Sequence, residues 1–472
     1  MDNAISKMKK DKNTITAKFW GSRFSKKTDK LADKFSFSIS YDSRLGVYDC
    51  LVGIAHAKML GQCKIIGKKD SQAIVSGLRH ILQQIKKGEF VFDPTAEDVH
   101  TSIQSALKQL IGPAADRLHT ARSRNDLIVS DMKLYCRDEV SCIVEAVKKL
   151  QVSIVRFAEK NQDVIIPAYT HLQSAQVVLL SHHMLAYVEM FQRDRERLLD
   201  AFKRMDTMPL GSCALSGTSL PIDRGSVAKQ LGFGSPTPNS IDSVSDRDFI
   251  IELISALAIM HMHFSRIAED LILWATSEFN FIDIDFSMCT GSSIMPHKKN
   301  PDILELIRGE TAGAYSRLNE ILVLMKGLPF TYNRDMQLDK PPLFLSIDKA
   351  KDILELFARL FSGLKVKEEI LSNCTNNESF FSVDIMEYLI KKGVAYRQAH
   401  DIVGSMIREC LDKGRKISSL TKEELKRFSP EFDEDVKQLL NPQTSVKIKA
   451  SFGSTNPGMV KKQIEAWKKR LK

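Results

Sequence analysis

Ser245 to Phe279 reads SDRDFIIELISALAIMHMHFSRIAEDLILWATSEF, and no proline or glycine interrupts it. Such a run predicts one helix longer than a typical globular one. Ser245 is placed to cap its free amides, and Asp248, three residues on, complements the positive helix end. Apolar side chains at Ile250, Leu253, Leu257, Met260, Phe264 and Leu271 cover more than one stripe of the cylinder. A helix apolar on several faces sits among neighbours, as in a bundle.

The punctuation on either side extends this reading. After Gly112-Pro113 the next glycine is Gly211, and Pro167 is the only proline between Pro113 and Pro209. Hairpin dipeptides Asn-Gly and Asp-Gly do not occur, so a strand-rich fold lacks its turns. Further long helices are expected from Asn125 to about Lys160, from Ser174 to about Met205 and from Pro301 to about Leu324. The fold class is therefore all-α, a long central bundle flanked by two smaller, mainly helical domains. The expected division is a basic tail over 1–18, an N-terminal helical domain over 19–122, the bundle over 123–373 and a C-terminal helical domain over 374–472. Helices with this much apolar surface are expected to bury some of it against other subunits.

Composition narrows the function. At 472 residues with 43% hydrophobic side chains the chain can bury a large core. No apolar run reaches the roughly 18 residues of a membrane span, and the start, MDNAISKMKKDKNTITAKFW, has charges where a signal peptide needs an apolar segment. A cytoplasmic enzyme is expected. Eight cysteines are scattered singly, with no C-x-x-C pair, which suits free thiols and gives no metal-ligand spacing. The formal charge of +10 lies largely at the two ends. Basic ends without an aromatic or Cys/His motif are read as solvated, not as a nucleic-acid surface. Phosphate cradles fail as well: GQCKIIGKK has the wrong glycine spacing for a P-loop, and GFGSPT is followed by prolines.

Three polar stretches remain. In LHTARSRNDLIVSD, Arg122, Arg124, Asn125 and Asp126 open a long helix, where free amides and guanidinium groups favour anions. In PAYTHLQSAQ, Thr170 and His171 stand in a polar setting just before the next expected helix. In TGSSIMPHKKNPDILELIRGE, Gly291 and two serines give the mobility of a lid. There Asn300 is placed to cap, Pro301 suits the first helical position, and Lys298 and Lys299 add positive charge. Hydroxyl, ammonium and helix end together suit a carboxylate-bearing substrate.

GSSIMPHKKNP, from Gly291 to Pro301, resembles the G-S-S-x-M-P-x-K-x-N-P signature of the fumarase/aspartase superfamily. The segments FWGSRF, EDVHTSIQSALKQLIG, LHTARSRND, YTHLQSAQ, MPLGSCALSGT, SVSDRDF and GLPFTYNRDMQLDK resemble, in order, those of its argininosuccinate lyase family. The likeness covers about Phe19 to Trp467. It departs at His297, where the family usually has glutamine, and at Cys213, where glycine is common.

The resemblance implies a homotetramer with a twenty-helix core, whose active sites are each built from three subunits. It implies fumarate-releasing cleavage of argininosuccinate to arginine, without metal or organic cofactor, in arginine synthesis or a urea-type cycle. It also implies roles: Ser292 as the base, supported by Lys298 and adjacent loop amides, His171 as the partner group, and Glu305 orienting His171. Ser38, Arg124, Asn125, Thr170, Asn300, Tyr332, Gln337 and Lys340 match substrate-binding positions, with Arg124 and Lys298 paired to the succinyl carboxylates. Two other readings are carried forward, a sister lyase acting on adenylosuccinate or aspartate, and an inactive crystallin-like structural relative.

Overall fold

A computed structural model describes residues 28–472. The lysine-rich tail and the FWGSRF segment fall outside the described residues. Five long helices dominate: α1 (Arg124–Lys160), α2 (Leu180–Met205), α3 (Asp248–Ala275), α4 (Asp302–Met325) and α5 (Lys340–Gly363). The helical class expected from the punctuation is the observed one.

Three boundaries differ from expectation, each for a local reason. Ser245 does not cap α3; it ends a short helix, Ser240–Ser245, and the Asp246 carboxylate accepts from the Asp248 amide at 2.9 Å. Asn300 does not cap α4, because it pairs with Thr290 across a two-residue ladder; the Pro301 carbonyl takes the first helical bonds, from Leu304 and Glu305. The third difference is larger. Residues 174–179, expected as helix, belong to a strand: β1 (Ile165–Thr170) pairs antiparallel with β2 (Gln173–Leu179), and α2 starts only at Leu180. The fifth helix, α5, opens with Pro341 and Pro342, which look like a helix stop but are tolerated in a first turn, where the amides have no helical partner.

The described chain divides into two compact units. One takes the residues up to Cys142, with Leu198–Ser255 and Ser316–Ile347; the other takes Ile143–Arg197, Ala256–Tyr315 and Asp348–Lys472. All five long helices contribute to both. In the first unit the Lys133 ammonium, only 2% exposed, is neutralised by Asp246 at 2.9 Å and hydrogen-bonded to Thr207. Arg247 and Asp339 form a second buried pair. In the second unit, Phe264 packs between Phe191 and Phe357. A separate apolar cluster there joins Ile385, Leu389, Val403, Met406, Leu425 and Phe432. The helix α3 is long and apolar enough to cross a membrane by composition, yet 61% of its most apolar window is buried inside the protein. That is the mark of a core helix.

The segment from Met208 to Ala214 is held tightly in the first unit. Gly211 has φ +90°, and a Cβ there would meet Arg224 and Ile222 at 2.8 Å, so only glycine fits. Cys213, at φ +55°, has no such excuse. A left-handed backbone is unfavourable for a residue with a Cβ. Cys213→Gly is expected to raise the unfolding free energy by about 0.5–1 kcal/mol, after glycine's own entropic cost. Urea unfolding monitored by circular dichroism checks this, and a loss would mean that thiol packing outweighs the strain.

Candidate active site

Six of the expected binding residues line one cavity of the first unit, about 240 Å³ in volume: Ser38, Arg124, Asn125, Tyr332, Gln337 and Lys340. They come from three separate stretches of chain, and Glu97, Asp98 and His100 of a fourth complete the lining. Larger cavities beside Lys160 and beside Trp467 gather none of them.

Five of the six side chains are fixed by a hydrogen bond or ion pair. The Ser38 hydroxyl donates to Asp42 at 2.6 Å, while the other Asp42 oxygen accepts from the Val99 amide. Burial nevertheless pushes the Asp42 carboxyl up. The Asn125 amide group donates to the Ala214 carbonyl at 3.0 Å. Gln337 and Arg334 both donate to the Ser36 carbonyl at 2.9 Å, drawing that segment onto the cavity. Lys340 is buried, and Asp339 accepts from its ammonium at 2.9 Å.

Arg124 is already engaged. Its guanidinium reaches Glu97 at 3.2 Å, Asp98 at 3.1 Å and the Thr101 hydroxyl at 2.6 Å. Glu97 is shared, since Arg334 also donates to it at 3.1 Å. The sequence reading missed Asp42, Glu97, Asp98, His100 and Arg334 as lining residues. Asp98 carries the signal of a helix cap, which it also is, accepting from the Thr101 amide at 2.8 Å. That local role conceals the other.

The remaining expected residues lie in the second unit. Thr170 ends β1, and His171 with Leu172 forms the two-residue turn to Gln173. Their φ angles, +55° and +57°, are those of a type I′ turn, which normally takes Asn-Gly. His171 is thus presented at an exposed hairpin tip. Ser292, Lys298 and Asn300 belong to a loop whose ends zip together, Thr290–Gly291 against Lys299–Asn300. Within it the Ser292 oxygen accepts from two amides, Ile294 at 3.3 Å and Met295 at 3.0 Å. Lys298 and Glu305 are exposed, whereas Lys299 is used structurally, bonded to Asp283 and lying 4.1 Å from the centre of the Phe286 ring. No hydrogen bond joins His171 to Glu305 among the described residues.

Titration of the first unit is dominated by buried histidines. Burial alone would lower His100, but its bond to Asp49 and the nearby Asp98 and Asp131 outweigh it and lift the imidazole to about 9. Burial, together with Arg122, brings His56 and His119 down to about 3. A raised histidine stabilises fully below its unfolded value near 6.5 and loses that contribution as pH rises through about 9. The two lowered histidines act oppositely, losing stability as pH falls below about 6.5. Denaturant midpoints are therefore expected to fall between neutral pH and about pH 9 in the parent protein, and to stay flatter in His100→Asn. Equal slopes in both would remove His100 as the cause.

Comparison with known proteins identifies relatives of the chain and of its fold. Residues 22–314 match the family model described as Lyase, and residues 381–447 match the one described as Argininosuccinate lyase C-terminal. The chain is 47% identical over 440 residues to the argininosuccinate lyase of Alkaliphilus metalliredigens, covering 93% of this chain and 96% of that protein. The Geotalea daltonii argininosuccinate lyase is likewise 47% identical, covering 95% and 98%. Among solved structures, EDDS lyase in complex with formate superposes with a TM-score of 0.81 at 26% identity, covering 95% of this chain and 91% of that one. The class II fumarase of Schistosoma mansoni shares the fold, with a TM-score of 0.73 at 16% identity, covering 87% and 93%.

Proposed function

The chain belongs to the argininosuccinate lyase family, and from that membership we propose how its side chains split argininosuccinate into arginine and fumarate. The reaction removes a proton from the carbon next to a succinyl carboxylate. The electron pair left behind forms the new double bond as the carbon–nitrogen bond breaks, and the departing guanidino nitrogen takes up a proton. Only protons and one electron pair move, so the protein must supply a base, an acid and stabilisation for the charge that builds on the carboxylate.

Ser292 is the base. A serine hydroxyl serves only if its alkoxide is stabilised, and the amides of Ile294 and Met295 already point at its oxygen. Lys298, beside it on the loop, adds positive charge. His171 delivers the proton on the opposite side, with Glu305 setting its orientation. Ser38, Asn125, Tyr332, Gln337 and Lys340 receive the arginine end and carboxylates, while Thr170, Asn300, Arg124 and Lys298 hold the succinyl end. The observation that carries this reading is the convergence of six family-matched residues, from three stretches of chain, on one cavity.

The enzyme works as a homotetramer, with sites completed by neighbouring subunits around a twenty-helix core. His171 and Glu305 are exposed and share no hydrogen bond among the described residues, which supports their meeting across a subunit interface. Helix α4 supports this, because Leu306, Tyr315, Leu322 and Val323 stand exposed on it. Monomers rarely leave such apolar surface in water. Eight unpaired thiols suit the cytoplasm.

Ser292→Ala is expected to leave assembly intact while lowering fumarate release from argininosuccinate by roughly a hundred- to ten-thousand-fold. Ultraviolet absorbance of fumarate reads the rate, and normal turnover would remove Ser292 from the mechanism. Shared sites make a second prediction. Subunits of Ser292→Ala and His171→Asn, each inactive alone, regain activity when unfolded together and reassembled, because some sites then receive both intact residues. Continued silence, in tetramers shown to be mixed, would place both residues in the same subunit's contribution.

A further inference from the structure

A set of buried charges stands behind the cavity wall, and the reaction above uses none of it. His100 lines the cavity with its residue surface only 6% exposed. Its Nδ1 is bonded to the Asp49 carboxylate, on the helix Gly46–Gln62, and lies 3.8 Å from Asp131 on α1. Asp49 is 4% exposed and Asp131 is fully buried. Among the described residues, neither oxygen of Asp131 makes a hydrogen bond, nor do the buried Nε and Nη1 of Arg122 or Nε2 of His100.

Asp49, His100 and Asp131 bring their ligand atoms within 4.8 Å of one another, which by spacing alone would suit a metal ion. The surroundings favour an ion-pair network instead. The nitrogen nearest both carboxylates carries its proton toward Asp49, and Arg122 already supplies the second positive charge beside Asp131. The imidazole and the Arg122 guanidinium already set positive charge beside these acids, and burial pushes the Asp131 carboxyl up, so a divalent cation would add charge that the site is poorly placed to balance.

We propose that Asp49, with Asp131 behind it, is a positioning residue that holds the His100 ring in the cavity wall it shares with Asp98, the carboxylate that engages the Arg124 guanidinium. Every link is a contact or a field already described. Asp49 fixes the ring and its protonated nitrogen. Burial would raise Asp98, but His100 and Arg124 overcome this and hold its carboxyl low. Asp98, kept ionised, accepts from Arg124 at 3.1 Å. The other charges facing His100 are Asp42, whose burial-raised carboxyl it offsets, and His119, which it helps keep neutral. Removing the Asp49 charge while keeping its shape should therefore release Arg124 without touching any group that contacts substrate.

The test uses the full-length protein with isotope-labelled histidine, following the His100 ring signal, assigned by its loss in His100→Asn, against pH. In the parent, His100 stays protonated through pH 8, because its folded value is about 9. In Asp49→Asn it becomes neutral at least tenfold more readily, that is, about one pH unit lower. KM for argininosuccinate rises about tenfold in the same variant while kcat changes little, the size typical of losing an outer partner that orients a binding group. Should Asp49→Asn fail to fold, Asp131→Asn reads the same two quantities in the same direction, at smaller amplitude. An unshifted His100 titration overturns the proposal, and so does a shifted titration with unchanged KM, which would make the network purely structural. The kinetic arm rests on the lyase reading, whereas the titration does not. A parent protein that releases no fumarate would therefore sink that reading while the ring signal still decides the network.

Discussion

Asp126 is the side chain on which the first unit's cavity depends. It has no exposed surface, and its carboxylate accepts from three backbone amides: Ser123 on one oxygen, Gly211 and Cys213 on the other, at 2.7–2.8 Å. Burial pushes its carboxyl up to about 6 even so, which measures how much desolvation these amides must offset. A buried carboxylate without such partners is strongly unfavourable. The bonds stitch the start of α1 to the Gly211 segment, which Arg224 grips from its other side through the Leu210 and Thr237 carbonyls. Arg124 and Asn125, the two neighbours before Asp126, are aimed at the cavity by this stitch. The backbone sets their starting direction, and their own side-chain bonds, Arg124 to Asp98 and Asn125 to the Ala214 carbonyl, then hold the tips.

The long helices were legible because their cause is written locally. The stretch between Pro113 and Pro209 has no glycine and a single proline, and that from Asn239 to Met295 has no proline, which leaves the chain few places to turn. The β1–β2 hairpin was not legible, since its turn is made by His171 and Leu172, neither of which favours positive φ. Propensity is overridden there, and a site residue sits at the override, which is where local rules are expected to fail. Helix α5 was hidden by Pro341 and Pro342, and the start of α3 by two adjacent polar candidates, of which Asp246 and not Ser245 makes the bond.

Site residues divide in the same way. Those with a family-matched motif were legible from the resemblance, and six of them meet in space. Glu97, Asp98, His100 and Arg334 were not, although EDVHTS and YNRDMQ were in plain view. Acidic residues before a helix ordinarily read as caps, and an arginine in a loop reads as solvated. Only the fold reveals that Glu97 bridges two arginines from positions 124 and 334, distant in sequence. Lys298 and Lys299 show the converse. Neighbours of identical chemistry have unlike duties, one exposed on the loop and one tied to Asp283.

The β1–β2 ladder has a consequence for what length of chain this site tolerates. Ile166 faces Val178 and Pro167 faces Val177 across the pair, and an irregularity between Ala168 and Tyr169 already absorbs one offset before the turn. Side chains in a strand alternate faces, so inserting or deleting a single residue at the tip would turn buried Val177 and Leu179 outward and bring Gln176 in. The imidazole of His171 is therefore fixed by counting as much as by identity. Variation along this hairpin is confined to exchange of residues at constant number, and a histidine moved one place along would be carried round to the wrong face.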